Sequence, residues 1–246
     1  MKSIIIILGL LNLAAIGTVL YYFRYKFRII YQQLGRLERV CERSAWDACN
    51  LVTTLSPKCP LPAPGGWAVS ADLLVEIVNT IQRKKPHFVV ELGTGLSTAV
   101  IALTLQKMAI GKLCSIEHDA KFASASRELL ESLGLSNIVE LRLAPLTLTK
   151  QFGEEQYWYD LSVLEDLIRI DLLLVDGPPA LTPTIRYPAL PFFWDRMQIG
   201  GQIILDDAKR EGEGLILNRW QKEFSISEMI CLDHDKGTVI ITKKAI

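Results

Sequence analysis

The stretch "HFVVELGTGLSTAV", residues 87–100, places an apolar run, a carboxylate and two glycines in close succession. The apolar residues before Glu91 predict a buried β-strand, and the small residues after Gly95 predict the first turn of a helix. Gly93 and Gly95 accept positive φ angles and allow another molecule to approach the backbone closely. A strand, a glycine turn and a helix in this order predict a cradle for a ligand.

The spacing of the apolar runs predicts the topology around this cradle. The runs are "HFVVE", "KLCSIE", "NIVELRL", "DLLLVD", "GQIILD", "SISEMICLD" and "GTVIITK". The first five are separated by segments long enough for crossover helices, which predicts a parallel sheet covered on both faces. Only a short turn at Gly237 separates the last two, so we expect an antiparallel hairpin there. The predicted fold class is α/β, with a doubly wound, mostly parallel sheet and an antiparallel C-terminal hairpin.

Carboxylates stand at the ends of four of the five predicted parallel strands. They are Glu91, Glu117, Asp176, Asp206 and Asp207. Ligands of open α/β sheets bind at the carboxyl edge, where the strand order reverses. A single carboxylate in such a place could simply cap a helix. Their recurrence at one edge favours a functional site.

The N-terminal segment predicts a membrane span. Residues 4–23, "IIIILGLLNLAAIGTVLYYF", are 20 residues without a charge, which is enough for a helix to cross a hydrocarbon core of about 30 Å. A cleaved signal peptide or a peripheral hairpin is the alternative interpretation. Basic residues outnumber acidic ones over residues 24–43. By the positive-inside tendency we expect a single-pass membrane protein whose C-terminal bulk faces the cytoplasm.

The rest of the chain divides at a proline-rich segment. Residues 56–66 contain four prolines and two glycines, which exclude regular structure. The predicted organisation is a transmembrane anchor over residues 1–23, a juxtamembrane helix and linker over residues 24–66, and a globular domain over residues 67–246. The five cysteines form no CxxC pair, which is typical of incidental thiols in a reducing compartment. We expect no nucleic-acid partner, and the oligomeric state is left open.

Several motifs resemble those of class I S-adenosylmethionine-dependent methyltransferases. "VVELGTGLSTAV" resembles the first motif of that family, and "CSIEHD" resembles the second, with Glu117 22 residues after Gly95. "LLLVDGPP", "RYPALPFFW" and "GGQIILDDAKR" resemble a subgroup of small-molecule and glycan-associated O-methyltransferases. The resemblance implies a Rossmann-like seven-stranded sheet. It also implies O-methylation of a small-molecule or glycan-type acceptor, which the predicted anchor would place at the cytoplasmic membrane face.

The resemblance assigns a set of cofactor contacts. In the family the glycine turn meets the methionine end of S-adenosyl-L-methionine, and the carboxylate of the second motif binds the ribose hydroxyls. The implied cofactor-binding residues are Glu91, Gly93, Thr94, Gly95, Ser97, Thr98, Glu117, His118 and Asp176.

Two alternatives to a methyltransferase stay open. One is an NAD(P)-dependent oxidoreductase, but a dinucleotide site needs a third glycine where this chain has Thr98. The other is a catalytically inactive, cofactor-binding domain that serves as a membrane-tethered partner protein.

The acidic residues after the fourth and fifth parallel strands match the metal ligands of catechol-type O-methyltransferases. The resemblance implies that Asp176, Asp206 and Asp207 bind a divalent metal, Mg²⁺ or Mn²⁺, since these ions prefer oxygen ligands. Such an ion would lower the pKa of an acceptor hydroxyl. This chain has "GPP" where those enzymes carry a catalytic lysine. The catalytic candidates are therefore Asp176 and, as a substitute base, Lys209. The loops at this end of the sheet could shape an anionic or sugar-like acceptor site with Arg186, Tyr187, Trp194 and Arg210.

Overall fold

The structure is a computed structural model that describes residues 2–226 and 228–244, and it describes only the backbone of residues 2–12 and 14. The end of the predicted globular domain, residues 245 and 246, lies outside the described residues. The chain forms two compact units, Met1–Trp46 and Asp47–Ile246, which are described separately below.

The prediction of a membrane span over residues 4–23 is wrong. Those residues belong to helix α1, Lys2–Leu55, and no helix among the described residues has an apolar stretch long enough to cross a membrane. Charged residues recur in α1 from Arg24 onward, so the rest of this helix offers no long apolar stretch. Residues 4–12 and 14 of the predicted span fall outside the described side chains. The same finding contradicts the predicted single-pass location with a cytoplasm-facing domain.

The second unit contains the predicted doubly wound sheet. Within the described residues it has seven strands, in the order β3, β2, β1, β6, β7, β9, β8. Their bounds are β1 Phe88–Leu92, β2 Lys112–Glu117, β3 Val139–Leu143, β6 Ile170–Val175, β7 Met197–Leu205, β8 Glu228–Leu232 and β9 Thr238–Thr242. The first five in this chain order pair in parallel, while β9 pairs antiparallel with both β7 and β8. The predicted sheet and its C-terminal hairpin are confirmed.

Helices and a small hairpin cover the two faces of the sheet. The helices of this unit are α2 Ala71–Lys84, α3 Leu96–Met108, α4 Ala120–Leu133, α5 Ala189–Phe193 and α6 Glu211–Glu223. Apolar residues of α2, α3 and α4 pack on one face against Val89, Leu172 and Ile204. Residues of α5 and α6 pack on the other face, against Val90 and Leu173. Neighbouring strand residues thus point to opposite faces, as the pleat requires.

The sequence analysis did not predict one element, an antiparallel hairpin of β4, Leu146–Thr149, and β5, Gln156–Tyr159. Trp158 and Tyr159, at the end of β5, are fully buried in the aromatic core under the sheet. The hairpin therefore replaces a crossover helix between β3 and β6 as the cover of this face.

The strand order reverses at β1, which pairs with β2 on one side and β6 on the other. The crossovers from β1 to β2 and from β6 to β7 therefore lead away from each other. They leave a crevice at the carboxyl ends of β1 and β6, which is where doubly wound sheets bind their ligands.

Candidate active site

The glycine turn after β1 fits tightly against the turn after β6. Gly93 has a φ of 94°, and a Cβ built on it would lie 3.2 Å from the backbone N of Gly177. Gly95 has a φ of 152°, and nothing lies within 4 Å of a Cβ built there. Gly93 thus permits two backbone segments to meet, whereas Gly95 borders open space that a ligand could fill.

Glu91 is held beneath this turn by hydroxyl groups. Its Oε2 accepts hydrogen bonds from Thr98 Oγ1 at 2.6 Å and from Ser115 Oγ at 2.7 Å. Thr98 Oγ1 also accepts from the backbone N of Gly95 at 2.9 Å, which ties the turn to α3. Burial raises the pKa of Glu91 to about 7. Glu91 and Thr98, with the neighbouring Ser97, are all buried, so they shape the back of the turn.

Glu117 lies at the end of β2, next to the glycine turn. Its Oε1 accepts from the backbone N of His118 at 2.8 Å and of Asp119 at 2.9 Å. The Nδ1 of His118 lies 2.7 Å from the same oxygen. Its Oε2 accepts from the backbone N of Thr94 at 3.2 Å, which joins the turns after β1 and β2. Three backbone donors thus fix the Glu117 carboxylate between the turns after β1 and β2.

Three aspartates meet at the ends of β6 and β7. Asp176, Asp206 and Asp207 each offer one carboxylate oxygen within 4.8 Å of the others. Both oxygens of Asp206 are buried and form no hydrogen bond within the described part of the chain. Burial, with the neighbouring charges of Asp176 and Asp207, raises the pKa of Asp206 to about 8. Burial also raises the pKa of Asp176 to about 6, against the lowering effect of Arg186.

A buried arginine binds this acidic cluster together. Arg186 is 3% exposed, and its Nη1 donates to Asp207 Oδ2 at 3.0 Å. Its guanidinium also donates to the backbone carbonyls of Asp176, Asp206 and Pro178. It therefore joins the turns after β6 and β7 and does not face an acceptor site as the sequence suggested. Adjacent buried carboxylates need a buried cation, but the sequence does not indicate which arginine supplies it.

The structure places Lys209 away from the cluster's hydrogen bonds. Its Nζ donates to the carbonyl of His234 at 2.5 Å and lies 2.8 Å from Asp233 Oδ1. The ammonium is thus bound by the turn between β8 and β9, and its side chain is half exposed. A role for Lys209 as a base stays a prediction. The predicted cofactor residues, in contrast, all line or support the ends of β1, β2 and β6.

Comparisons with known proteins agree with this arrangement. Residues 90–208 match the model of a family described as a methyltransferase domain. That segment runs from β1 through the acidic pair after β7. No curated protein sequence matches the chain.

Solved structures share the fold at low sequence identity. A candidate O-methyltransferase from Klebsiella pneumoniae aligns with a TM-score of 0.59 and 22% identity, over 82% of this chain and 97% of that one. The O-methyltransferase from Bacillus cereus, in complex with SAH, aligns with a TM-score of 0.54 and 20% identity, over 84% of this chain and 90% of that one. The O-methyltransferase TomG from Streptomyces achromogenes, in complex with SAM, aligns with a TM-score of 0.55 and 15% identity, over 84% of this chain and 89% of that one. At these identities the likeness establishes the fold.

The family match covers the glycine turn, Glu117 and the acidic cluster in one segment. Like the missing third glycine, this match favours a methyltransferase over the dinucleotide-dependent alternative. The resemblance seen in the sequence is confirmed, and this chain is a class I S-adenosylmethionine-dependent methyltransferase.

Proposed function

We propose that this enzyme transfers the methyl group of S-adenosyl-L-methionine to a hydroxyl oxygen of a small-molecule acceptor. The observation that carries the proposal is the buried carboxylate of Asp206, which has both oxygens unbonded among the described residues and belongs to the acidic cluster beside the crevice. An acceptor hydroxyl must lose its proton as its oxygen attacks the methyl group, and the ionised form of Asp206, whose oxygens have no other partner among the described residues, can take that proton. Because the pKa of Asp206 is about 8, this form predominates only above that pH unless a bound cation favours it. Two of the structural neighbours are O-methyltransferases, which supports oxygen as the acceptor atom.

The cofactor is proposed to lie across the ends of β1 and β2. The glycine turn at Gly93 and Gly95 would receive its methionine end, because the open side of Gly95 leaves room there. Glu117 would accept hydrogen bonds from both ribose hydroxyls, and His118 would border the nucleoside. Thr94, at the turn, and Asp176, at the end of β6, would complete the contacts. Glu91, Ser97 and Thr98 would support the turn from behind.

The acidic cluster fits a divalent cation such as Mg²⁺ or Mn²⁺. Three carboxylates supply the hard oxygen ligands that these ions prefer, and the unbonded oxygens of Asp206 are directly available. Arg186 and Arg210 already occupy Asp207 Oδ2, at 3.0 and 2.8 Å, so Asp176 and Asp206 are the main candidates to bind the ion. A bound ion would lower the pKa of the acceptor hydroxyl. Without it, the chain's own carboxylates would have to take the proton.

The most specific part of the proposal is the class of molecule that carries the acceptor hydroxyl. We propose a small molecule as the acceptor; one structural neighbour, the O-methyltransferase TomG, is involved in tomaymycin synthesis. A glycan-type hydroxyl is the second acceptor class that the sequence motifs suggested. We place the catalytic function in residues 67–246, which contain the sheet, the crevice and the acidic cluster.

Transfer of a labelled methyl group tests the proposal. The full chain is incubated with methyl-labelled cofactor and, separately, with panels of phenols, other small alcohols and soluble glycans. We expect label in a hydroxyl of a small molecule, and loss of transfer in Asp206→Asn. Label transferred to nitrogen or carbon instead would contradict the proposal.

Cofactor binding provides the matched test of the nucleoside site. Glu117→Ala should weaken binding of S-adenosylhomocysteine by about 2–4 kcal/mol, because charge-assisted hydrogen bonds are lost. Glu128→Ala, on the exposed side of α4, is the control and should bind as the wild type does. Calorimetry measures both, and equal affinities would refute the ribose assignment.

A further inference from the structure

A tyrosine hydroxyl under the crevice is buried without a hydrogen-bond partner. Tyr159 ends β5 and is 0% exposed, and its Oη bonds to no residue in the ranges 2–226 and 228–244. Burial raises the pKa of Tyr159 well above its ordinary value, so the hydroxyl keeps its proton and can donate. A buried donor without an acceptor destabilises the folded chain. Its presence therefore needs an explanation.

The packing of the Tyr159 ring does not explain why the side chain carries a hydroxyl group. The ring of Tyr159 contacts the Trp158 ring edge to face, with centroids 5.1 Å apart, and belongs to the apolar cluster under the sheet. A phenylalanine ring would fill the same volume and make the same ring contacts. The hydroxyl is thus the part of this side chain that the fold itself does not use.

The hydroxyl lies where the cofactor site meets the acidic cluster. A Cβ built on Gly177 would lie 2.4 Å from Tyr159 Oη and 3.0 Å from the backbone N of Gly93. The hydroxyl and the two glycine turns therefore come together at one point. The Tyr159 ring also faces the His118 ring, with centroids 6.5 Å apart. Its hydroxyl is influenced by charged groups from the ends of several strands and the loop after β6, which are Glu117, Arg186, Asp176 and Glu91.

We propose that the Tyr159 hydroxyl is a cofactor-binding group that donates a hydrogen bond to an oxygen of the bound S-adenosyl compound. This inference rests on the cofactor site proposed above and adds a residue to it. The hydrogen bond from Thr94 N to Glu117 Oε2 joins the turns beside the hydroxyl. Ribose hydroxyls that bind Glu117 Oε2 would compete with Thr94 N for this oxygen, and loss of that bond would release the glycine turn beside the Tyr159 hydroxyl. The β4–β5 hairpin is then part of the site as well as a cover for the core.

Replacing tyrosine by phenylalanine at two positions separates a binding role from a structural one. Tyr159→Phe removes only the unpartnered hydroxyl. The matched control is Tyr187→Phe, because Tyr187 is also a buried residue but its hydroxyl donates to Glu223 on α6. Both variants are made in the full chain. Calorimetry with S-adenosylhomocysteine gives the affinity, and thermal unfolding without cofactor gives the Tm.

The two variants should change in opposite ways. Tyr159→Phe should bind S-adenosylhomocysteine about five- to tenfold more weakly, while its Tm rises by about 3 °C because an unsatisfied buried donor is gone. Tyr187→Phe should lose stability and keep its affinity. Unchanged affinity in Tyr159→Phe, with a wild type that binds, would overturn this inference alone. A wild type that binds no S-adenosylhomocysteine would overturn the cofactor site itself.

Discussion

Two clusters of buried carboxylates lie at the same edge of the sheet, and their neighbours satisfy them differently. Below the glycine turn, Glu91 accepts hydrogen bonds from the hydroxyls of Thr98 and Ser115. At the end of β7, Asp206 accepts none from the residues that the structure describes. Asp207, beside it, is instead paired with two arginines.

The difference separates a supporting carboxylate from reactive ones. The hydroxyl donors bond one oxygen of Glu91, Oε2, while its buried Oε1 has no partner among the described residues. The raised pKa of Glu91, about 7, lets a proton neutralise the group without a cation. The Asp206 cluster concentrates negative charge, which only a cation or a proton can offset. One cluster holds the shape of the turn, and the other is suited to binding and proton transfer.

The largest effect should come from removing the buried arginine, Arg186, of the Asp206 cluster. Arg186→Met should lower the free energy of unfolding by about 3–5 kcal/mol, because it leaves buried carboxylates and carbonyls without their donor. Urea unfolding at neutral pH measures the loss. Arg210→Met removes the second, half-exposed arginine on Asp207, and it should cost about 1 kcal/mol or less. Equal losses in the two variants would show that the buried guanidinium does not hold the cluster.

Removal of divalent ions should affect the second cluster and leave the first intact. EDTA should reduce methyl transfer about 10²-fold, the usual scale for lost assistance to proton transfer, while binding of S-adenosylhomocysteine stays unchanged. Calorimetric titration with Mn²⁺ is the independent measurement, and Asp206→Asn should bind Mn²⁺ more weakly than the wild type. Full turnover in EDTA with no Mn²⁺ binding would exclude the metal and leave the carboxylates to act alone.

The smallest effect should be a change in how stability depends on pH. The pKa of Glu91 is about 7 in the folded chain against an ordinary 4.5. Below pH 4.5 both the folded and the unfolded chain carry the proton. As the pH rises toward 7 the unfolded chain releases it first, so the protein loses stability in that window. Glu91→Gln does not titrate, and relative to the wild type it should gain about 2 kcal/mol between pH 5 and pH 8.

Urea unfolding at the two pH values tests this expectation for the first cluster. Glu128→Gln, an exposed carboxylate on α4, is the control and should follow the wild type at both values. The comparison between the clusters would fail if Glu91→Gln showed the same pH dependence as the wild type. In that case the hydroxyl donors would already hold Glu91 ionised.

The sequence was sufficient to predict the elements that depend on local patterns. Continuous apolar runs predicted the parallel strands, and the short turn at Gly237 predicted the hairpin of β8 and β9. Because strand ends in a parallel sheet share one edge, the positions of Glu91, Glu117 and the aspartates followed directly. The three aspartates agree with that reasoning, because one carboxylate oxygen of each lies within 4.8 Å of the others.

Features that depend on distant contacts were not predictable in the same way. Arg186 comes ten residues after Asp176, and nothing local indicates that it turns back into the protein. The hairpin of β4 and β5 consists of two four-residue strands, which are too short for a periodic pattern to predict. The uncharged N-terminal run resembled a membrane span by composition, but the described part of α1 contains no such stretch.

The close contact at Gly177 has a consequence for how related sequences can change. A methyl group at position 177 would collide with the Tyr159 hydroxyl at 2.4 Å and press on the backbone of Gly93. The hydroxyl is the end of a side chain and can be deleted, whereas the backbone of Gly93 cannot. Alanine at position 177 should therefore be tolerated better in homologues that carry phenylalanine at position 159. Positions 159 and 177, 18 residues apart, are expected to covary through evolution as a pair.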